Sequence, residues 1–204
     1  MYNSSISVSD FVNEVLSAVN AVPAISGQVV ANLLSDLQDR LFAQIIRPLR
    51  HCEVQVQSEA ELLYVDVQSI VTSEDEAKAS SEDVILVRQG RSLVFHATEE
   101  QFFQLSIPVY CEMNGKICLR NCDATQVEVT YIARPAPITY ANGTYSGQIC
   151  FPDGYLSMLS SGLRAELCRH IGDETGVKLY GEKFNVMLAD LKRRFAHTSR
   201  EVAG

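Results

Sequence analysis

Residues 151–195, FPDGYLSMLSSGLRAELCRHIGDETGVKLYGEKFNVMLADLKRRF, constrain the fold more than any other stretch of the chain. Leu156, Leu159, Leu163, Leu167 and Ile171 recur at helical offsets, so they share one face of a helix. Val177, Phe184, Met187, Leu188, Leu191 and Phe195 do the same for a second helix. Asp153, with Pro152 before it, stands where an N-cap belongs. Gly172 suits the left-handed residue that ends the first helix, and Asp173 suits the cap of the next. Lys192, Arg193 and Arg194 sit where the negative end of the helix dipole favours cations, and close the second helix. A corner this short makes the two helices antiparallel neighbours. Neither buries its apolar stripe alone, so the rest of the chain must supply the other half of a core.

The opening of the chain supplies it. Ser7 followed by Asp10 has capping-box spacing, with Asp a shorter substitute for Glu, ahead of Val8, Phe11, Val12, Val15, Leu16 and Val19. Pro23 and Gly27 break the pattern, and a second helix over residues 28–46 carries Val30, Leu33, Leu34, Leu37, Leu41 and Ile45 in period before Pro48 stops it. Between the helical pairs the period falls to two. Residues 52–57 and, more loosely, 63–71 alternate as strands. Residues 73–83, SEDEAKASSED, hold no large apolar side chain and read as an exposed acidic loop. Arg88-Gln89-Gly90-Arg91 and Asn114-Gly115 mark two hairpins, Thr98 with Gln101 caps a helical turn through Phe102 and Phe103, and residues 126–133 form a clean strand. Residues 138–150 read as a Tyr/Gly/Asn-rich loop. Within it Asn142-Gly143-Thr144 spells a glycosylation sequon but is better taken as a turn. The fold class is therefore α+β: N- and C-terminal helical pairs packed together, residues 1–50 with 150–204, around an inserted antiparallel β module of hairpins at 51–149.

The 204 residues carry 17 basic and 25 acidic side chains, a formal charge of −8, which argues against a protein that grips nucleic acid through its phosphates. No run approaches the ~18 apolar residues of a membrane span. The N-terminal stretch has no Lys or Arg before Arg40 and contains Asp10 and Glu14, unlike a signal peptide, so the six cysteines are expected as reduced thiols.

Chemistry-bearing constellations weigh light. Cys118 and Cys122 form one pair, with Cys111, Cys150, His96 and His170 as distant completions, whereas zinc sites usually join two such pairs. His51-Cys52 point to opposite faces of a strand, and Cys168 and His170 diverge by about 200° on a helix. Phosphate-binding, dinucleotide, zincin and nucleophile-elbow motifs are missing, and the Glu74–Glu76 and Glu99-Glu100 clusters read as solvated faces or caps. No enzyme, cofactor or metal is expected. Tyr131, Tyr140 and Tyr145 flank YIARPAPITYANGTYSG, which reads equally as an extended connection and as an aromatic contact arm.

A strand running into Tyr131–Pro135, then Phe151-Pro152, a Leu/Ala-rich helix, Gly172-Asp173, and a second helix with Tyr180, Phe184 and a Leu191-Lys192-Arg193-Arg194 end together resemble the head-to-tail adaptor proteins of tailed bacteriophages. That group includes tail tubular protein A of podophages and the connector proteins of other tailed phages. Two departures stand out. An Asp-rich phrase found after the first helix in some members is absent, and the region from 50 to 125 is richer in hairpins than in small connectors, which favours the podophage type.

The resemblance implies a virion structural protein of the neck or tail, made in the host cytoplasm and assembled as a ring, usually twelve-fold. Its partners would be the portal protein, the tail nozzle or next tail component, and further copies of itself. DNA would pass through the channel without specific binding, and no membrane is involved. An acidic chain suits such a conduit. Candidate partner contacts are Glu74, Asp75 and Glu76 of the acidic loop and the hairpin tips Gln89, Gly90, Asn114 and Gly115. The tyrosine loop adds Tyr140, Asn142 and Tyr145, and the C-terminal arm adds Arg194, His197 and Arg200. The rival expectations are a tail-completion or minor capsid protein and, from another class, a virion-associated cell-wall hydrolase.

Overall fold

The computed structural model describes residues 4–19, 25–59, 62–70, 72, 74, 76–151 and 153–201, with side chains as far as Phe195. Its helices are α1 (Val8–Ser17), α2 (Gly27–Leu41), the one-turn α3 (Glu99–Phe102), α4 (Leu156–Ile171) and α5 (Glu174–Glu201). Its strands are β1 (Leu49–Gln55), β2 (Gln57–Glu59), β3 (Leu62–Val65), β4 (Val84–Gln89), β5 (Ser92–His96), β6 (Val109–Met113), β7 (Lys116–Arg120), β8 (Gln126–Ile132), β9 (Thr139–Ala141) and β10 (Thr144–Ser146). Two compact units result: a helical one, from residues up to Ile46 together with those from Pro135, and a β unit, Arg47–Arg134.

In the helical unit both ends of the chain share one core. Phe11, Val12 and Val15 of α1, Val30, Leu34 and Leu37 of α2, and Leu159, Leu163 and Leu167 of α4 are buried together around Phe42, Ile149 and Phe151. Hydrogen bonds across the whole sequence accompany the packing. The Ser4 N–H donates to the Ile149 carbonyl at 3.0 Å, the Tyr180 hydroxyl to the Ala18 carbonyl at 3.0 Å, and the Cys150 N–H to Gln38 Oε1 at 3.0 Å. Each closes a long loop, which is what makes a discontinuous domain hold together.

Helix ends follow side-chain chemistry. Ser7 accepts from the Asp10 N–H, but Asp10 takes the Ser7 hydroxyl at 2.6 Å, the nearer partner for a carboxylate one methylene shorter than Glu. Ser26 caps α2, which loosens beyond Leu41 into a π turn, Phe42–Ile46. Gly172 takes φ +78° at the end of α4, and Asp173 accepts from the Gly176 N–H at 2.9 Å. Two expectations are corrected here. Asp153 opens a short 3-10 turn, Asp153–Tyr155, and α4 begins after Tyr155 without a side-chain cap. The last helix does not close at Lys192–Arg194 but runs to Glu201, since AHTSRE contains neither Gly nor Pro to end it.

The β unit holds an eight-stranded sheet in the order β1-β8-β4-β5-β6-β7-β3-β2. Its two edge strands, β1 and β2, are consecutive in the chain and separated by Val56 alone, so the sheet must roll until one continuous strand supplies both edges. Val56 itself donates to the Thr125 carbonyl at 2.9 Å. The pairing is not wholly antiparallel: β5 and β6 run parallel, Phe95 beside Val109 and His96 beside Tyr110. The intervening chain with α3 is the crossover that parallel pairing demands. The expected hairpins are present. Asn114 and Gly115 take φ +52° and +73°, both left-handed as a type I′ turn requires, between Met113 and Lys116.

Residues 138–150 are not a loop. Asn142 and Gly143, at φ +52° and +80°, turn a small hairpin of β9 and β10 in which Tyr145 pairs with Tyr140. The segment from 76 to 83 is not simply exposed either. Ala79, Ser81 and Asp83 are buried, because two arginines of the β unit draw its carboxylates inward.

Candidate interaction surfaces

The acidic segment is fastened down by charge. Arg50 of β1 meets Glu76 at 2.9 Å, and Arg134, just past β8, meets Asp83 at 2.6 Å. Both are charge-assisted pairs on side chains whose carboxylates are hidden from water. Glu76, 8% exposed, serves as an internal tie to Arg50, while Glu74 is exposed and Asp75 lies outside the described residues. At the tips, Gly90, Asn114, Gly115 and Asn142 are exposed. Gln89 is half-buried and gives its amide to Asp123. Tyr140 and Tyr145 stack with ring centroids 4.8 Å apart and pack, half-buried, on the helical core. Gly27 lies against the Tyr140 ring, where no Cβ would fit. Much of their aromatic surface is thus already used inside the unit. Arg194 is exposed along its length, donates to the Tyr155 hydroxyl at 3.3 Å and lies over that ring. His197 and Arg200 fall within α5, but their side chains lie outside the described residues.

The thiols and imidazoles are engaged in structure. Cys111 and Cys118 face each other across β6 and β7 inside a small core with Ala97, Phe102 and Val109. Burial, then the neighbouring Cys118 and Glu99, pushes the Cys111 thiol up to about 11. Burial also raises Cys52, Cys118, Cys122 and Cys168, so none is a ready thiolate nucleophile at neutral pH. Cys168 is buried and His170 exposed, His51 meets Thr130 Oγ1 at 2.9 Å, and His96 stacks on Tyr110 at 5.1 Å. Among the described residues no group of three or more His, Cys, Asp or Glu side chains could hold a metal ion. Among the described residues no helix is long and apolar enough to cross a membrane.

Two features escaped the sequence reading. One is a fixed apolar projection after α3. Phe103 is 61% exposed, Leu105 37% and Ile107 46%, beside exposed Leu93 and Phe95 of β5. The projection is rigidly held: the Asn121 amide donates to the carbonyls of both Leu105 and Ile107 at 3.0 Å, and Arg120 donates to the Phe102 carbonyl at 3.1 Å. Its sequence signal was the pair Phe102-Phe103, since a one-turn helix turns only one of two adjacent residues inward. The second is a cleft of about 300 Å³ in the helical unit, between α2, α4 and α5. Leu37, Leu41, Phe184 and Leu188 line it, with Arg40, Arg169 and Lys192 against the single carboxylate Glu166. No periodicity announces it, because it exists only where three helices meet.

No curated protein matches the chain. The family described as SU10 adaptor protein matches residues 6–203, nearly the whole sequence and both units. The chain belongs to that family, as a structural head-to-tail adaptor of the phage virion, residing in its neck or tail.

Proposed function

We propose that the protein works as a ring of identical subunits, twelve in number, seated between the portal and the tail nozzle or next tail component, with DNA passing through the centre. The observation that carries this reading is the family match over residues 6–203. The division of the chain into a helical unit and a rolled β unit supports it, because a two-sided adaptor needs separate surfaces for separate partners. On this reading the helical unit walls the channel and the β unit meets the tail through Gln89, Gly90, Asn114 and Gly115. Glu74, the exposed tip Asn142 and Arg194 are the remaining contacts, with Asp75, His197 and Arg200 proposed on sequence grounds alone. Tyr140 and Tyr145 act indirectly, by holding the Asn142 tip. A formal charge of −8 keeps the passage from binding DNA tightly.

The test is the mass of the purified chain with and without portal, followed by electron microscopy of the mixture. A twelve-membered ring seated on portal is the expected outcome. A location on the capsid shell or at the distal tail, or a portal complex of another stoichiometry, overturns the reading.

A further inference from the structure

We infer that the apolar projection of one subunit, Phe103-Gln104-Leu105-Ser106-Ile107, docks in the α2–α4–α5 cleft of the next copy of the chain, an inference that rests on the ring reading above. The two surfaces complement each other in three respects. In shape, an exposed loop of large apolar side chains meets a cleft of about 300 Å³. In polarity, Phe103 and Leu105 carry exposed apolar surface, and half-buried Phe184 and Leu188 offer apolar surface in the cleft, with Leu37 and Leu41 buried behind them. In charge, Glu99 and Glu100 stand at the base of the projection, while around the cleft Arg40 and Arg169 share the one carboxylate of Glu166 and, with exposed Lys192, leave the rim net positive.

The projection is also prepared for binding. Three side-chain hydrogen bonds, from Arg120 and Asn121, hold the backbone of residues 102–107, so little ordering remains to be done on association. Arg120, a cation beside it, donates to the Phe102 carbonyl and lies 5.9 Å from the Phe103 ring. A knob on one unit and a cleft on the other are two different surfaces, so their contact is head-to-tail. Contacts of that kind generate rings, whereas a self-complementary patch generates dimers.

The test places the photoreactive residue p-benzoylphenylalanine at Phe103 of the full chain, irradiates assembled virions and maps the cross-link by mass spectrometry. The expected product is a covalent pair of adaptor subunits joined to the α5 peptide carrying Leu188 and Lys192. A link to portal or to a tail protein, or no adaptor pair, overturns the inference. A second arm uses charge. Glu100→Lys is expected to lower incorporation into necks by about tenfold, and Lys192→Glu in the same chain to restore much of it. A double variant no better than Glu100→Lys alone overturns the pairing. Failure of the ring reading is separate: there the unsubstituted chain is itself missing from the neck or seated elsewhere in the virion.

Discussion

Phe11 is 2% exposed and lies in α1, yet its neighbours in the core come from the far end of the chain. Replacing it with Ala removes a buried aromatic and leaves a cavity that Val12, Val15 and Leu163 cannot close without moving. Such truncations cost about 3–5 kcal/mol, of which about 1.5–3 is lost transfer energy and the rest is the cavity. A domain of about 100 residues loses roughly 4–8 °C in Tm per kcal/mol, so a fall of about 15 °C or more is expected for the helical unit. The sharper readout is hydrogen exchange. If both ends of the chain build one cooperative core, amides of α4 must lose protection by the same free energy as those of α1, although α4 is untouched by the substitution. About 4 kcal/mol corresponds to roughly a thousandfold faster exchange by global opening. Loss of protection confined to α1, with α4 exchanging at its original rate, would refute the shared core and reduce α1 to an appended arm.

Three further outcomes follow from single contacts. Gly27→Ala places a methyl group in the Tyr140 ring, so the β9–β10 hairpin must shift, at about 1–3 kcal/mol; near-ultraviolet circular dichroism, dominated by tyrosine in a chain without Trp, should change with it. Asp83→Ala removes the buried partner of Arg134, which is partly exposed and so partly rescued by water; about 2 kcal/mol of β-unit stability should go, and an unchanged urea midpoint would refute the tie. Cys111 has its thiol raised from 9.0 to about 11, so the native state holds its proton more tightly than the unfolded chain. Its contribution is complete below pH 9 and is lost as pH climbs towards 11, by up to about 3 kcal/mol, and Cys111→Ala should flatten that part of the stability–pH curve.

What the sequence announced is local. Helical period located α1, α2, α4 and α5, and Asn-Gly at 114–115 demanded a turn with two left-handed residues, which only a few residue types accept. What it concealed depends on distant partners. Composition alone makes residues 73–83 look solvated, and the arginines that bury Glu76 and Asp83 lie 26 and 51 positions away. The parallel β5–β6 pair and the closure of the sheet through Val56 are matters of topology, invisible to any window of ten residues. Tyr140 and Tyr145 could be read either way from the sequence. Two aromatics in a polar, glycine-rich stretch suggest an exposed arm, but their cross-strand pairing and Gly27 turn them towards the core.

The placement of hydrogen bonds shows how a surface can be prepared for contact. Enzymes concentrate strain and shifted ionisations at a reacting centre. Here burial is the first cause of the raised thiols and tyrosines, as in an ordinary core. Side-chain donors are instead directed at the backbone of residues 102–107, which displays apolar groups to water. A loop exposing Phe103, Leu105 and Ile107 buries little apolar surface in return for being held in one conformation. It gains a great deal if a partner must find those side chains already in place, because every rotor fixed beforehand is entropy not lost on docking. Asn121→Gly, which removes the amide but accepts the left-handed backbone Asn121 adopts at φ +57°, should therefore leave the melting temperature nearly unchanged while weakening assembly, a separation of effects that a purely structural Asn121 could not produce.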